Sequence, residues 1–147
     1  MTTNASSFFR VPESRHVAVG NVAELNWGYH LSDENMKAFK AVQLSCPTYN
    51  HHQHKILWRL DSKGNQFTDS EYASRLSVSD ETKAKRHNHY QTKRYKFKVS
   101  NVIPEDERYY EFKIELGNSR KNLRSRVFLG VYGKILWYYS LMGIVYN

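Results

Sequence analysis

Cys46, His51, His52 and His54 are the residues whose types could hold a metal, and they share one short stretch. Thiolate and imidazole are good zinc ligands. Their spacing matches no closed site, however, and adjacent histidines point apart on an extended chain. A solvated polar loop over Pro47 to His54 is therefore expected, and no metal. Paired carboxylates could support acid–base chemistry, but Asp33-Glu34 and Glu105-Asp106 fall in turn-forming stretches, where hydration accounts for them. The chain has no glycine-rich phosphate loop and no G-x-S-x-G elbow. Catalysis has little support in these residues, and neither an enzyme nor a cofactor is expected.

Charge offers a second kind of chemistry. The 22 Lys and Arg against 14 Asp and Glu give a formal net charge of +8. The cations gather only at Lys83–Lys98 and Arg120–Arg126. Such a balance suits nucleic acid, anionic lipid or polyanionic glycans without choosing among them. No aromatic stacking motif of a nucleic-acid fold accompanies it, so nucleic acid is not expected as a partner.

The elements that would position these side chains are strands. From Arg94 to Leu116, Tyr95, Phe97 and Val99 alternate with Lys96, Lys98 and Ser100. That period of two marks a half-buried strand. Asn101 to Asp106 forms a corner, where Pro104 removes a backbone donor. Beyond it Tyr110, Phe112, Ile114 and Leu116 point inward, with Tyr109, Glu111, Lys113 and Glu115 outward. Upstream, Ala23, Leu25 and Trp27 give another strand one apolar face. A chain of 147 residues with 11 Tyr, 7 Phe and 3 Trp, many in alternating runs, reads as one β-rich domain able to bury a full core. With one cysteine it has no intrachain disulfide.

Strand, acidic corner and Asp106-x-x-x-Tyr110-x-Phe112 together resemble strands E and F of an immunoglobulin domain, most like the variable type. Gly20 followed by Leu25 and Trp27 resembles the start of its strand B. The resemblance implies an all-β, two-sheet antiparallel sandwich. It implies that the Tyr110 hydroxyl turns back onto upstream backbone, and that Arg75, near the start of strand D, pairs with Asp106. It also places Trp27 and Phe112 where the family keeps its two bridging cysteines. A cross-link closing so long a loop is worth about 4–5 kcal/mol in the chain-entropy picture. Burying a Trp and a Phe, at about 150–250 Å² each and ~25 cal/mol per Å², gives a gross term at least as large. Two rings meeting between the sheets could thus replace the covalent pin.

In this frame residues 1–15 are a flexible lead-in with an edge strand near Phe8 to Val11, 16–133 the variable-type domain, and 134–147 an apolar extension. His30 to Lys37 is expected as a loop, Phe39 to Cys46 as strand C, Lys55 to Asp61 as C′, Tyr72 to Ser79 as D, and Gly117 to Lys121 as the F–G turn. On strand G, Leu123, Val127, Leu129 and Val131 face the core, with a slip of register at Ser125 that a bulge would explain. The apolar run from Ile135 to Tyr146 is shorter than the ~20 residues a span needs. It reads either as the opening of a transmembrane helix or as a segment packed on the domain.

The resemblance extends to the cysteine-poor domains of invertebrate surface receptors, including those of cell adhesion and allorecognition. It implies binding of another protein, often a like domain, through the sheet of strands G, F, C and C′. Its outward residues here would be Tyr109, Glu111, Lys113, Arg126 and Phe128, with Trp58 on C′. Exposed aromatics among charges of both signs suit such an interface. No secretory signal is visible in the polar start, so a cell-surface location is an expectation of the resemblance alone. Asn4-Ala5-Ser6 is a glycosylation acceptor pattern, and a glycan there would favour that location. Two other readings fit the residues. One is an intracellular structural immunoglobulin domain of cytoskeletal or muscle type. The other is a polyanion-binding module using Lys83, Lys85, Arg86, Lys93, Arg94 and the Arg120–Arg126 run.

Overall fold

The structure, a computed structural model, describes residues 6–48, 53–82 and 90–143. It is a sandwich of two β-sheets. The smaller sheet holds β1 (Ser7–Arg10), β3 (Ala23–Ser32), β8 (Tyr90–Val99) and β7 (Leu76–Asp80), in the order β1-β3-β8-β7. The larger holds β2 (Arg15–Ala18), β10 (Leu123–Tyr132), β9 (Arg108–Leu116), β4 (Phe39–Pro47), β5 (His54–Asp61) and β6 (Gln66–Thr68), in the order β2-β10-β9-β4-β5-β6. Neighbours are antiparallel throughout except β2, which runs parallel to β10. The N-terminal segment thus crosses from the edge of one sheet to the edge of the other. Gly130 leaves room for the exposed His16 side chain of β2, whose ring would lie 2.5 Å from a Cβ there.

Period-two alternation sets both inner faces. Leu25, Trp27, Tyr29 and Leu31 of β3 and Tyr95, Phe97 and Val99 of β8 are buried. They meet Tyr110, Phe112 and Ile114 of β9 and Leu44 of β4. Trp27 and Phe112 stack across the gap, their ring centroids 5.3 Å apart and their planes at 18°. Phe97 contacts both, edge-on to Trp27 at 5.8 Å and tilted to Phe112 at 5.9 Å. Offset and edge contacts at these distances suit the ring quadrupoles.

Four expectations from the sequence change here. The stretch from His30 is not a loop from its first residue: the inward period continues through Tyr29 and Leu31, so β3 runs to Ser32. Ser32 then caps a short helix, α1 (Asp33–Ala38), its hydroxyl accepting from the Asn35 N–H. The fourth strand of the smaller sheet begins at Leu76, not Tyr72. Residues ahead of it form turns, with Arg75 and Leu76 donating to the Tyr72 carbonyl.

No bulge interrupts β10 against β9, whose pairing is continuous from Leu123↔Ile114 to Leu129↔Arg108. Ser125 is simply an inward residue that is polar, and its hydroxyl accepts from the Trp27 indole N–H at 2.9 Å. Trp58 is the last correction. It lies in the core at 2 % exposure, against Tyr95 at 5.7 Å and Phe97 at 5.3 Å. Both parities of β5 are apolar, Leu57 on one and Trp58 with Leu60 on the other, so period two cannot assign its faces. A register shift at Leu44/Ser45 buries Leu57 as well as Trp58. The Trp58 ring, opposite Leu44 of β4, thereby joins the core cluster on the inner face.

After β10, Gly133 turns with φ +82° into α2 (Lys134–Leu141), tethered by an ion pair between Lys134 and Glu107. Ile135, Tyr138, Leu141 and Met142 on this segment are exposed. Among the described residues no helix is long and apolar enough to cross a membrane.

Candidate functional site

The outer face of the larger sheet carries most of the residues expected to bind a partner, and the corner beneath β9 fixes its geometry. Pro104–Asp106 forms one 3₁₀ turn, with Pro104 in its first turn, where a missing N–H costs nothing. The Asp106 carboxylate takes the Ile103 N–H at 2.9 Å and the Arg75 guanidinium in a two-pronged pair at 2.6 and 2.9 Å. Asp106 is fully buried, so this pair satisfies a charge that water cannot reach. Tyr110 donates its hydroxyl to the Asp106 carbonyl at 2.8 Å. Burial pushes the Tyr110 phenol far above its ordinary range, keeping it a donor.

From that anchor β9 sends Tyr109, Glu111, Lys113 and Glu115 outward, and cross-strand register builds rows from them. One row reads Phe67, Arg59, Gln43, Lys113, Arg124 across β6, β5, β4, β9 and β10. Arg59 donates to Gln43 at 3.0 Å and to Glu115 at 2.7 Å. The next row reads Ile56, Ser45, Glu111, Arg126. Beyond it the Tyr109 and Phe128 rings pair at 5.1 Å, with Tyr109 half exposed.

Glu111 departs from expectation. It belongs to this face but is 4 % exposed, because Arg124 and Arg126 close over it, each at 2.9 Å on a separate carboxylate oxygen. Burial alone would raise its pKa, yet the hydrogen bonds from Arg126 and Arg124 outweigh it and hold the carboxyl below its ordinary 4.5. A partner approaching this spot meets the two guanidiniums, whose side chains are 52 % and 45 % exposed, and not the carboxylate. Lys113 and Phe128 are half-buried and Trp58 is absent from the face. Arg124, Arg59 and Phe67 join it. Arg124 was legible as outward, while placing Arg59 and Phe67 in one row with it needed the register of five strands.

The metal-type residues do not assemble among the described residues, which contain no group of three candidate ligands. His51 and His52 lie outside the described residues. His54 Nδ1 is 3.3 Å from the buried Ser45 hydroxyl. Neighbouring Glu111 is committed to its arginines, so this is no nucleophile–base–orienter chain. Cys46 is buried, and that burial pushes its thiol up to about 12. Lys83, Lys85 and Arg86 also lie outside the described residues. Arg120 is engaged by Glu34 and Asn35, and Arg94 sits over the Phe9 ring at 5.2 Å, on the smaller sheet. No family model matches the sequence, and no curated protein matches it.

Proposed function

We propose that this chain is a variable-type immunoglobulin-like recognition module that binds another protein, at a cell surface, through the outer face of the larger sheet. Three features support the kinship. The order β1-β3-β8-β7 corresponds to strands A, B, E and D, and β10-β9-β4-β5-β6 to G, F, C, C′ and C″, the extra pair that separates variable from constant types. The Tyr110 hydroxyl returns to backbone four residues upstream, two residues before Phe112. Trp27 and Phe112 stack between the sheets at the places of the two cysteines.

The observation that carries the function is the Tyr109–Phe128 pair beside the half-exposed Arg124 and Arg126. Aromatic and arginine side chains on a rigid sheet lose little entropy on docking and are frequent hot spots. A phage-displayed library of cDNA fragments from the same organism, selected on the immobilised chain, tests the face. Truncating this aromatic pair, Tyr109→Ser with Phe128→Ser, should weaken the enriched fragments by about tenfold or more. Fragments that bind this variant as well as the parent chain would remove the reading. Antibody labelling of intact cells tests the location, since labelling only after permeabilisation would place the protein inside.

A further inference from the structure

We infer that the partner of this face is an acidic protein surface, and not a second copy of the chain docked face to face. The inference rests on the binding face proposed above. The row Phe67, Arg59, Gln43, Lys113, Arg124 contains three cations and no carboxylate. Arg126 adds a fourth cation in the adjoining row. The carboxylates of the face are already engaged: Glu111 holds Arg124 and Arg126 from beneath, Glu115 holds Arg59 at 2.7 Å, and Asp61 at the end of β5 accepts from Lys63 and Asn65 of its own turn. A guanidinium has five N–H donors. Arg124 and Arg126 each commit one N–H to Glu111 and keep about half of the side chain in water. Lys113 stands beside the Arg59–Glu115 pair, where its charge helps to hold the Glu115 carboxyl down.

Carboxylates arriving from outside would meet these spare donors in the fork geometry that guanidinium favours. Tyr109 and Phe128 at one side, and exposed Phe67 at the other, frame the charged row with apolar anchors. Self-docking fails on the same geometry. A two-fold contact presents the same patch from both subunits. A two-fold axis crossing this row lays Arg59, Lys113 and Arg124 of one copy against those of the other. Glu111 is too deep to reach across, and like charges forced together disfavour the pairing.

The same library selection tests this with a second variant, Lys113→Glu with Arg124→Gln, and with two competitors, hexaglutamate and a heparin hexasaccharide. The expected fragments are rich in Asp and Glu. They lose about tenfold or more on the charge variant and weaken steeply with salt. Fragments that need Tyr109 and Phe128 but ignore the charge variant would overturn the acidic partner while leaving the face. Fragments that ignore both variants, or no enrichment, would remove both. Enrichment of this chain's own sequence would establish self-docking and overturn the inference. Displacement by the heparin hexasaccharide but not by hexaglutamate would reassign the row to sulfated glycans. Near-UV circular dichroism of the ring cluster checks that each variant is folded. If the charge pair fails that check, Lys113→Gln alone carries the comparison.

Discussion

The indole N–H of Trp27, on the smaller sheet, donates to the Ser125 hydroxyl, on the larger, at 2.9 Å. The sheets are therefore joined at this point by a ring stack and a directed polar contact together. Ser125→Ala would leave the buried indole donor without a partner, at a cost of about 1–2 kcal/mol. Urea unfolding should show a lower midpoint with an unchanged slope.

Core and surface rings should separate cleanly. Phe112 is fully buried within a cluster of rings that includes Trp27, Tyr29, Tyr95 and Phe97. Phe112→Ala should cost about 3–5 kcal/mol. Phe128→Ala removes one half-buried cross-strand partner and should cost about 1 kcal/mol or less. Equal losses in thermal unfolding would mean that Phe128 belongs to the core and not to the binding face.

The corner beneath β9 depends on charge compensation. Arg75→Ala would strand the Asp106 carboxylate in the interior and should cost about 3–5 kcal/mol. Adding Asp106→Asn should cost less than the sum of the two single changes, because the orphaned charge is gone. Tyr110→Phe, which loses only its bond to the Asp106 carbonyl, should cost about 1 kcal/mol. A chemical-denaturation cycle over these variants measures each difference.

Acid should loosen the binding face. Glu111 titrates below its ordinary 4.5 in the folded chain, as the Arg126 and Arg124 bonds overcome the opposing effect of burial. A depressed folded pKa contributes stability that is complete above the unfolded value and lost as pH falls through the folded one. Glu111→Gln should therefore be less stable than the parent near neutrality, with the gap closing as pH falls below 4.5. Thermal melts across that range check the sign; a gap that widens in acid would contradict it.

Cys46 should be inert. Its thiol is buried and shifted up to about 12, so almost none is thiolate at neutral pH. Reaction with a thiol reagent should be slow in buffer and fast in denaturant. Equal rates would mean that β4 opens readily.

Where apolar and polar residues alternated strictly, the sequence was legible. The β8–corner–β9 stretch reads with its faces correct, and the structure brings Trp27 and Phe112 into contact. Legibility failed where a side chain's place depends on partners across the strands. Ser125 imitated a slip because an inward polar residue needs a partner that sequence does not reveal, here Trp27. Trp58 was misplaced because both faces of β5 are apolar. Parity sets Glu111 on the outer face, but its cover by two arginines depends on the pairing of β9 with β10. Arg59 and Phe67 entered the site only once five strands were aligned.

Rings in place of a sulfur bridge change what this sandwich requires to mature. The contact between Trp27 and Phe112 forms by burial alone, so neither oxidant nor isomerase has to act on the chain. Its folding yield should be indifferent to glutathione. Bacterial cytosol and secretory lumen should then return the same folded product.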